Sequence, residues 1–161
     1  MKAIDIALSK DTNVLKNVLG VADATWGSAP PNLANLTDEV DSTLVTAGTK
    51  TISATSGTIG IISFDLGASA SGDYFIAHKV GLKSTTGNIF TYIESSANGS
   101  DYSAINYIKH TDIGTTTEKE VDCIPALVSK RYFRIRYYVS GATNPVTCEV
   151  RPVSLRAYKK G

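Results

Sequence analysis

The chain has 161 residues, 42% of them hydrophobic and 19% charged, with thirteen glycines and a formal net charge of +1 at neutral pH. That is enough chain to bury a substantial core, and a charge so near zero gives no global pull toward nucleic acid or a membrane surface. The N-terminal MKAIDIALSKD has neither the apolar stretch nor the small-residue cleavage site of a signal peptide, and no apolar run reaches transmembrane length. The expectation is a soluble chain, not exported by the usual route, with no membrane insertion and no nucleic-acid partner.

In chain order, Ala3–Leu8 sets Ile4, Ile6 and Leu8 against Asp5 and reads as a first strand. Ser9–Leu19 reads as one small helix: Ser9 is the N-cap, Val14, Leu15, Val18 and Leu19 form an apolar set, and Gly20 stands just past its end. Val21–Leu36 holds the single tryptophan, Trp26, and the run Ser28-Ala29-Pro30-Pro31-Asn32. That run fits neither helix nor central strand, so an ordered loop is expected, with Trp26 either a plug on the core or a ligand platform.

Beyond residue 48 the pattern is strand, turn, strand. The candidates are Thr49–Ala54, Ile59–Leu66, Tyr74–Lys83, Ile89–Ser95, Ala104–Ile108, Thr117–Cys123, Arg131–Val139, Thr147–Val150 and Val153–Tyr158. Gly57, Gly67, Ser71-Gly72-Asp73, Gly87-Asn88, Asn98-Gly99, Gly114 and Gly141 punctuate them with turn chemistry. Short regular strands with so little helix predict an all-β antiparallel sandwich or barrel, and with no repeat or linker the chain reads as one domain, 1–161.

Lys130–Ser140, KRYFRIRYYVS, is the densest aromatic and β-branched stretch. Its period-two alternation puts Phe133, Ile135 and Tyr137 on one side and Tyr132, Arg134 and Arg136 on the other. A central strand is expected, buried on one face and basic on the other. Charge follows the same division: residues 1–129 hold eight Lys and Arg against fourteen Asp and Glu, and residues 130–161 hold eight against one. Arg134, Arg136, Arg151 and Arg156 are expected to share an outer face that is either solvated or a docking surface for an acidic partner. Reversing Arg134 and Arg136 to Glu should then leave the fold intact. Cys123 and Cys148 have no metal-ligand spacing and only His78 and His110 as companions, so they form either a disulfide or two buried thiols.

Five motifs then stand in order: Asn35-Leu36-Thr37-Asp38-Glu39-Val40-Asp41-Ser42-Thr43, Ile62-Ser63-Phe64-Asp65-Leu66-Gly67, Tyr92-Ile93-Glu94-Ser95-Ser96-Ala97-Asn98-Gly99-Ser100-Asp101-Tyr102, Lys130-Arg131-Tyr132-Phe133-Arg134-Ile135, and Val153-Ser154-Leu155-Arg156-Ala157-Tyr158. Together they resemble the discoidin, or coagulation-factor type C, domain family. The resemblance covers about residues 33–158 and implies a galactose-binding-like jelly roll, with residues 1–32 as an N-terminal strand or arm and a loop. In that frame the Asp65 carboxylate accepts local backbone N–H groups at a strand end, and Tyr102 folds back after the Asn98-Gly99 turn as an aromatic plug.

The family's structural calcium would find oxygen donors in Asp38, Asp41 and Thr43. Glu39 replaces the family's Gly, however, and Ser154 replaces the Glu of its closing strand, so no cofactor is expected. The family's ligand loops vary among members, and no binding residue carries over by motif. Loop aromatics able to serve a glycan are Trp26, Tyr74, Tyr107 and His110.

Nucleophile elbows, phosphate loops and H-E-x-x-H are absent from the sequence, and the resemblance implies binding rather than chemistry, so no enzyme is expected. Two non-catalytic readings follow. The first is a bacteriophage or viral surface component, such as a capsid-decoration, head-fibre or tail protein. It would be partnered by other virion proteins or by copies of itself, and would attach to glycans. A Met start without an export signal and about thirty residues ahead of the matched region motivate it. The alternative is a carbohydrate-binding or adhesion module of an extracellular or cell-surface protein.

Overall fold

The computed structural model describes residues 20–27, 29–37, 45–67, 73–111, 113–123 and 125–159. Among them there is no helix, and the strands are β1 (Val21–Ala22), β2 (Gly48–Ile52), β3 (Ser56–Asp65), β4 (Tyr74–Ser84), β5 (Asn88–Ser96), β6 (Ser103–His110), β7 (Lys119–Asp122), β8 (Ala126–Val128), β9 (Tyr132–Ser140) and β10 (Val146–Lys159). They form two antiparallel sheets. One runs β1-β3-β9-β5-β6 and the other β2-β10-β4-β7, with β8 also paired to β4. This is the sandwich expected of a jelly roll. The first strand and helix read from Ala3–Leu19 lie outside the described residues, as do Asp38, Asp41 and Thr43.

β9 is the middle strand of its sheet, and its burial alternates residue by residue. Phe133, Ile135, Tyr137 and Val139 are fully buried. They meet Ile59, Ile62 and Phe64 of β3 and Ile89 and Ile93 of β5, with Phe64 stacked on Phe133 at 4.8 Å between ring centroids. From the other sheet come Ile76, Val80 and Leu82 of β4 and Val146, Cys148, Val150 and Leu155 of β10. Each such side chain contributes about 1.5–3 kcal/mol by leaving water. Cys123 and Cys148 are both buried and unbonded, which resolves the cysteine alternatives in favour of two thiols.

Three differences from the sequence reading have simple causes. Thr147–Val150 and Val153–Tyr158, expected as two strands, are one strand, β10, because a register shift between Pro152 and Ser154 absorbs the proline between them. The strands β1 and β8 span only two and three residues, too short to show a period. The stretch from Gly20 onward is built into the sandwich: Val21 and Ala22 pair with Ser63 and Ile62, and Trp26, Leu33 and Leu36 join the core.

Trp26 closes one open edge between the sheets. Its indole Nε1 donates to the Ile61 carbonyl at 3.0 Å, and the ring lies between Gly60 of β3 and Gly48 of β2. A Cβ on Gly60 would sit 2.1 Å from the indole, and one on Gly48 would sit 2.6 Å from it. Neither position tolerates a side chain while the tryptophan stays where it is.

Candidate functional site

The alternation that buries one face of β5, β9 and β6 brings a second set of side chains together on the outer face. Register places Tyr92 between Arg136 of β9 and Tyr107 of β6, and Phe90 between Tyr138 and Lys109. Cross-strand neighbours at this spacing touch. Tyr92 and Tyr107 stack at 5.5 Å, Phe90 lies 6.2 Å from Tyr92 and 6.4 Å from Tyr107, and Tyr138 meets Tyr92 edge-on at 6.5 Å. Tyr107 is 59% exposed, an unusual figure for a large aromatic on a strand. The others are half-buried.

A buried carboxylate organises the charge beside these rings. Glu94, only 5% exposed, faces Arg134 across the β5–β9 pairing. It accepts from Arg134 Nε through one oxygen, and from Arg136 Nε and Nη2 through the other at 3.0 and 2.9 Å. Each guanidinium also lies over an aromatic ring, Arg136 at 4.2 Å from the centre of Tyr92 and Arg134 at 4.2 Å from that of Tyr102. Tyr102 reaches this position because Asn98 shapes the preceding turn, its Oδ1 accepting from the Ser100 and Asp101 N–H groups while Gly99 takes a φ of +78°. Burial raises the Tyr102 hydroxyl pKa, so the phenol is neutral. At the end of β3, Asp65 accepts from Gly67 N–H at 2.8 Å and from Arg131 Nε and Nη2, both at 2.7 Å. Arg131, then the Gly67 N–H, holds its carboxyl down to about 2.

The structure separates the residues nominated from sequence. Tyr107 is on the outer face and exposed. Trp26 and Tyr74 are each 6% exposed core residues, so neither can serve as a ligand platform. His110, 5% exposed, points inward from β6, where its Nε2 meets the Thr91 hydroxyl at 2.9 Å; burial lowers its pKa to about 4. The four arginines do not share one face. Arg134 and Arg136 belong to β9, whereas Arg151 and Arg156 belong to β10 in the opposite sheet, where Arg151 is held by Glu118 and Glu120.

Phe90, Tyr92, Tyr138 and Glu94 are the members that the sequence reading passed over. Their signal was the second face of an alternation, Phe90-x-Tyr92-x-Glu94, beside a first face already filled by Ile89, Thr91 and Ile93. A second feature lies at the sandwich edge opposite Trp26: an open cleft of about 410 Å³ between β6 and β7, lined by Ile108, His110, Lys119, Glu120 and Asp122. Among the described residues no group of three or more His, Cys, Asp or Glu side chains could hold a metal ion.

No protein-family model matches this chain, and comparison with curated proteins gives no match. Solved structures do match. A family 4 carbohydrate-binding module superposes with a TM-score of 0.50 at 13% identity, over 88% of this chain and 94% of the other. A family 32 module, CBM32-3, from a family 31 glycoside hydrolase of Clostridium perfringens superposes with a TM-score of 0.51 at 13% identity, over 96% and 98%. At that identity the likeness is one of fold, an antiparallel β-sandwich consistent with a jelly roll.

Proposed function

We propose that this protein is a non-catalytic glycan-binding module, and that it binds through the outer face of the β9 sheet. The observation that carries the reading is the cluster of Phe90, Tyr92, Tyr107 and Tyr138 rings with Tyr107 open to solvent. A sugar ring presents an apolar C–H face that stacks on such rings and a rim of hydroxyls that needs charged or polar partners. Arg136, Arg134 and Lys109 stand within the same patch. The guanidiniums are fixed by Glu94, so little side-chain entropy is lost on binding.

The similar structures named above are carbohydrate-binding modules, which fits the adhesion-module alternative, acting outside or on the surface of a cell, better than the virion component. Kinship with the discoidin domains rests on the five ordered sequence motifs.

The test is a binding screen of the intact protein against soluble polysaccharides by affinity electrophoresis, with calorimetry on any that retard it. Tyr107→Ala should weaken binding at least tenfold, roughly the loss of one well-placed aromatic anchor, with an unchanged melting temperature. Equal binding by the variant would remove the site, and no retardation by any polysaccharide would remove the function.

A further inference from the structure

The two outer faces of the sandwich treat charge differently. On the β10 sheet two cations have carboxylates to themselves: Arg151 with Glu118 and Glu120, and Lys83 with Glu149 at 3.1 Å. On the β9 sheet, Arg134 and Arg136 share a single carboxylate, Glu94, and Lys109 stands across from Phe90. Asp65, at the far end of β3, is already held by Arg131. Among the described residues, Arg134, Arg136 and Lys109 set three cations beside the one carboxylate of Glu94, although the protein as a whole carries only +1. The excess is not spread over the sheet. Arg136 lies over Tyr92 and is 5.7 Å from the Tyr138 ring, and the Lys109 ammonium is 6.0 Å from the Phe90 ring. The uncompensated charge thus borders the aromatic cluster on both sides, from β9 and from β6.

Resting on the glycan-binding reading above, we infer that the preferred ligand is an acidic polysaccharide built from uronic acid residues. A uronic acid keeps the apolar ring face that stacks on Tyr92 and Tyr107. Its carboxylate replaces the exocyclic hydroxymethyl group, at the rim of the ring, where Arg136 and Lys109 flank the stack. Glu94 takes the Nε and Nη2 side of the Arg136 guanidinium, and a planar carboxylate matches the donor pair of its other edge, Nη1 and Nη2. Glu94 serves the same end from below: it fixes the arginine heads without cancelling their combined charge.

Calorimetry of the intact protein with polygalacturonate, neutral galactan and dextran sulfate tests the inference. Polygalacturonate should bind most tightly, and its affinity should fall at least about fivefold between about 50 and 500 mM NaCl as salt screens the exposed charges. Lys109→Gln should weaken polygalacturonate binding more than galactan binding, whereas Tyr107→Ala should weaken both. Galactan bound as tightly as polygalacturonate, without salt dependence, would overturn the acidic preference and leave glycan binding standing. Dextran sulfate bound in place of polygalacturonate would overturn the assignment to carboxylates. Binding to none of the three, nor to any polymer in the wider screen, would overturn both readings together.

Discussion

His78 shows how one side chain ties pH to stability. It is 4% exposed on the inner face of β4, with Nδ1 2.9 Å from the Ser154 carbonyl and Nε2 2.7 Å from the Tyr137 hydroxyl. A carbonyl can only accept, so Nδ1–H donates to it, and Nε2 accepts from the tyrosine. A second proton would place a charge in the core and a donor against a hydroxyl that already donates. Burial accordingly lowers the His78 pKa from 6.5 to about 4, against a smaller opposing effect of the Ser154 bond. The unfolded chain takes up this proton below about pH 6.5 and the folded chain only below about 4. Stability present above pH 6.5 is therefore lost as pH falls toward 4, by about 3 kcal/mol for this group. His110 adds to the loss in the same direction and over the same window. The urea midpoint should be flat from neutral to mildly alkaline pH and decline steadily between pH 6.5 and 4. A midpoint that holds constant across that window would mean these imidazoles are not buried in neutral form.

At the scale of elements, β5 and β9 are joined by more than their backbone ladder. Read from sequence alone, Arg134 and Arg136 belong to a solvated face where reversal to Glu is harmless. Their pairing with Glu94 changes that expectation. The double variant Arg134→Glu/Arg136→Glu would set three carboxylates against one another, one of them 5% exposed. Breaking a buried pair by removing one partner costs roughly 3–5 kcal/mol, on the order of 10 °C in melting temperature for a chain of this length. A thermal melt followed by circular dichroism checks it, and an unchanged midpoint would mean that Glu94 does not depend on the arginines. What was legible in the sequence follows from the same geometry. The alternation of β9 could be read because one face is uniformly apolar and the other is not. In β5 both faces carry large apolar or aromatic side chains, so the pattern alone does not say which face is buried. Glu94 and Arg134 are forty residues apart, and only strand register reveals that they meet. Aromatics were sought in loops, whereas the exposed cluster is on strands.

Across the whole molecule, the basic C-terminal segment was visible in the sequence but its distribution was not. β9 and β10 follow one another in the chain yet lie in different sheets, so the positive charge of residues 130–161 is divided between opposite surfaces. On one surface Arg151 has two carboxylates, Glu118 and Glu120, and on the other Arg134 and Arg136 share one, Glu94. The same separation of layers governs Trp26, the only tryptophan in the chain. Its indole is shut between the sheets, 6.0 Å from the Tyr137 ring, while the Tyr92, Tyr107 and Tyr138 rings stand on the other side of the β9 sheet. The protein thus carries two optical reporters with different sensitivities. Tryptophan emission should be that of a dry indole and move to longer wavelength only when the sandwich opens in denaturant. Ligand stacking on the outer face should leave that wavelength where it is and perturb the near-ultraviolet bands of tyrosine instead. A tryptophan shift on adding a saturating glycan would place the bound sugar near the β2–β3 edge and away from the tyrosine face.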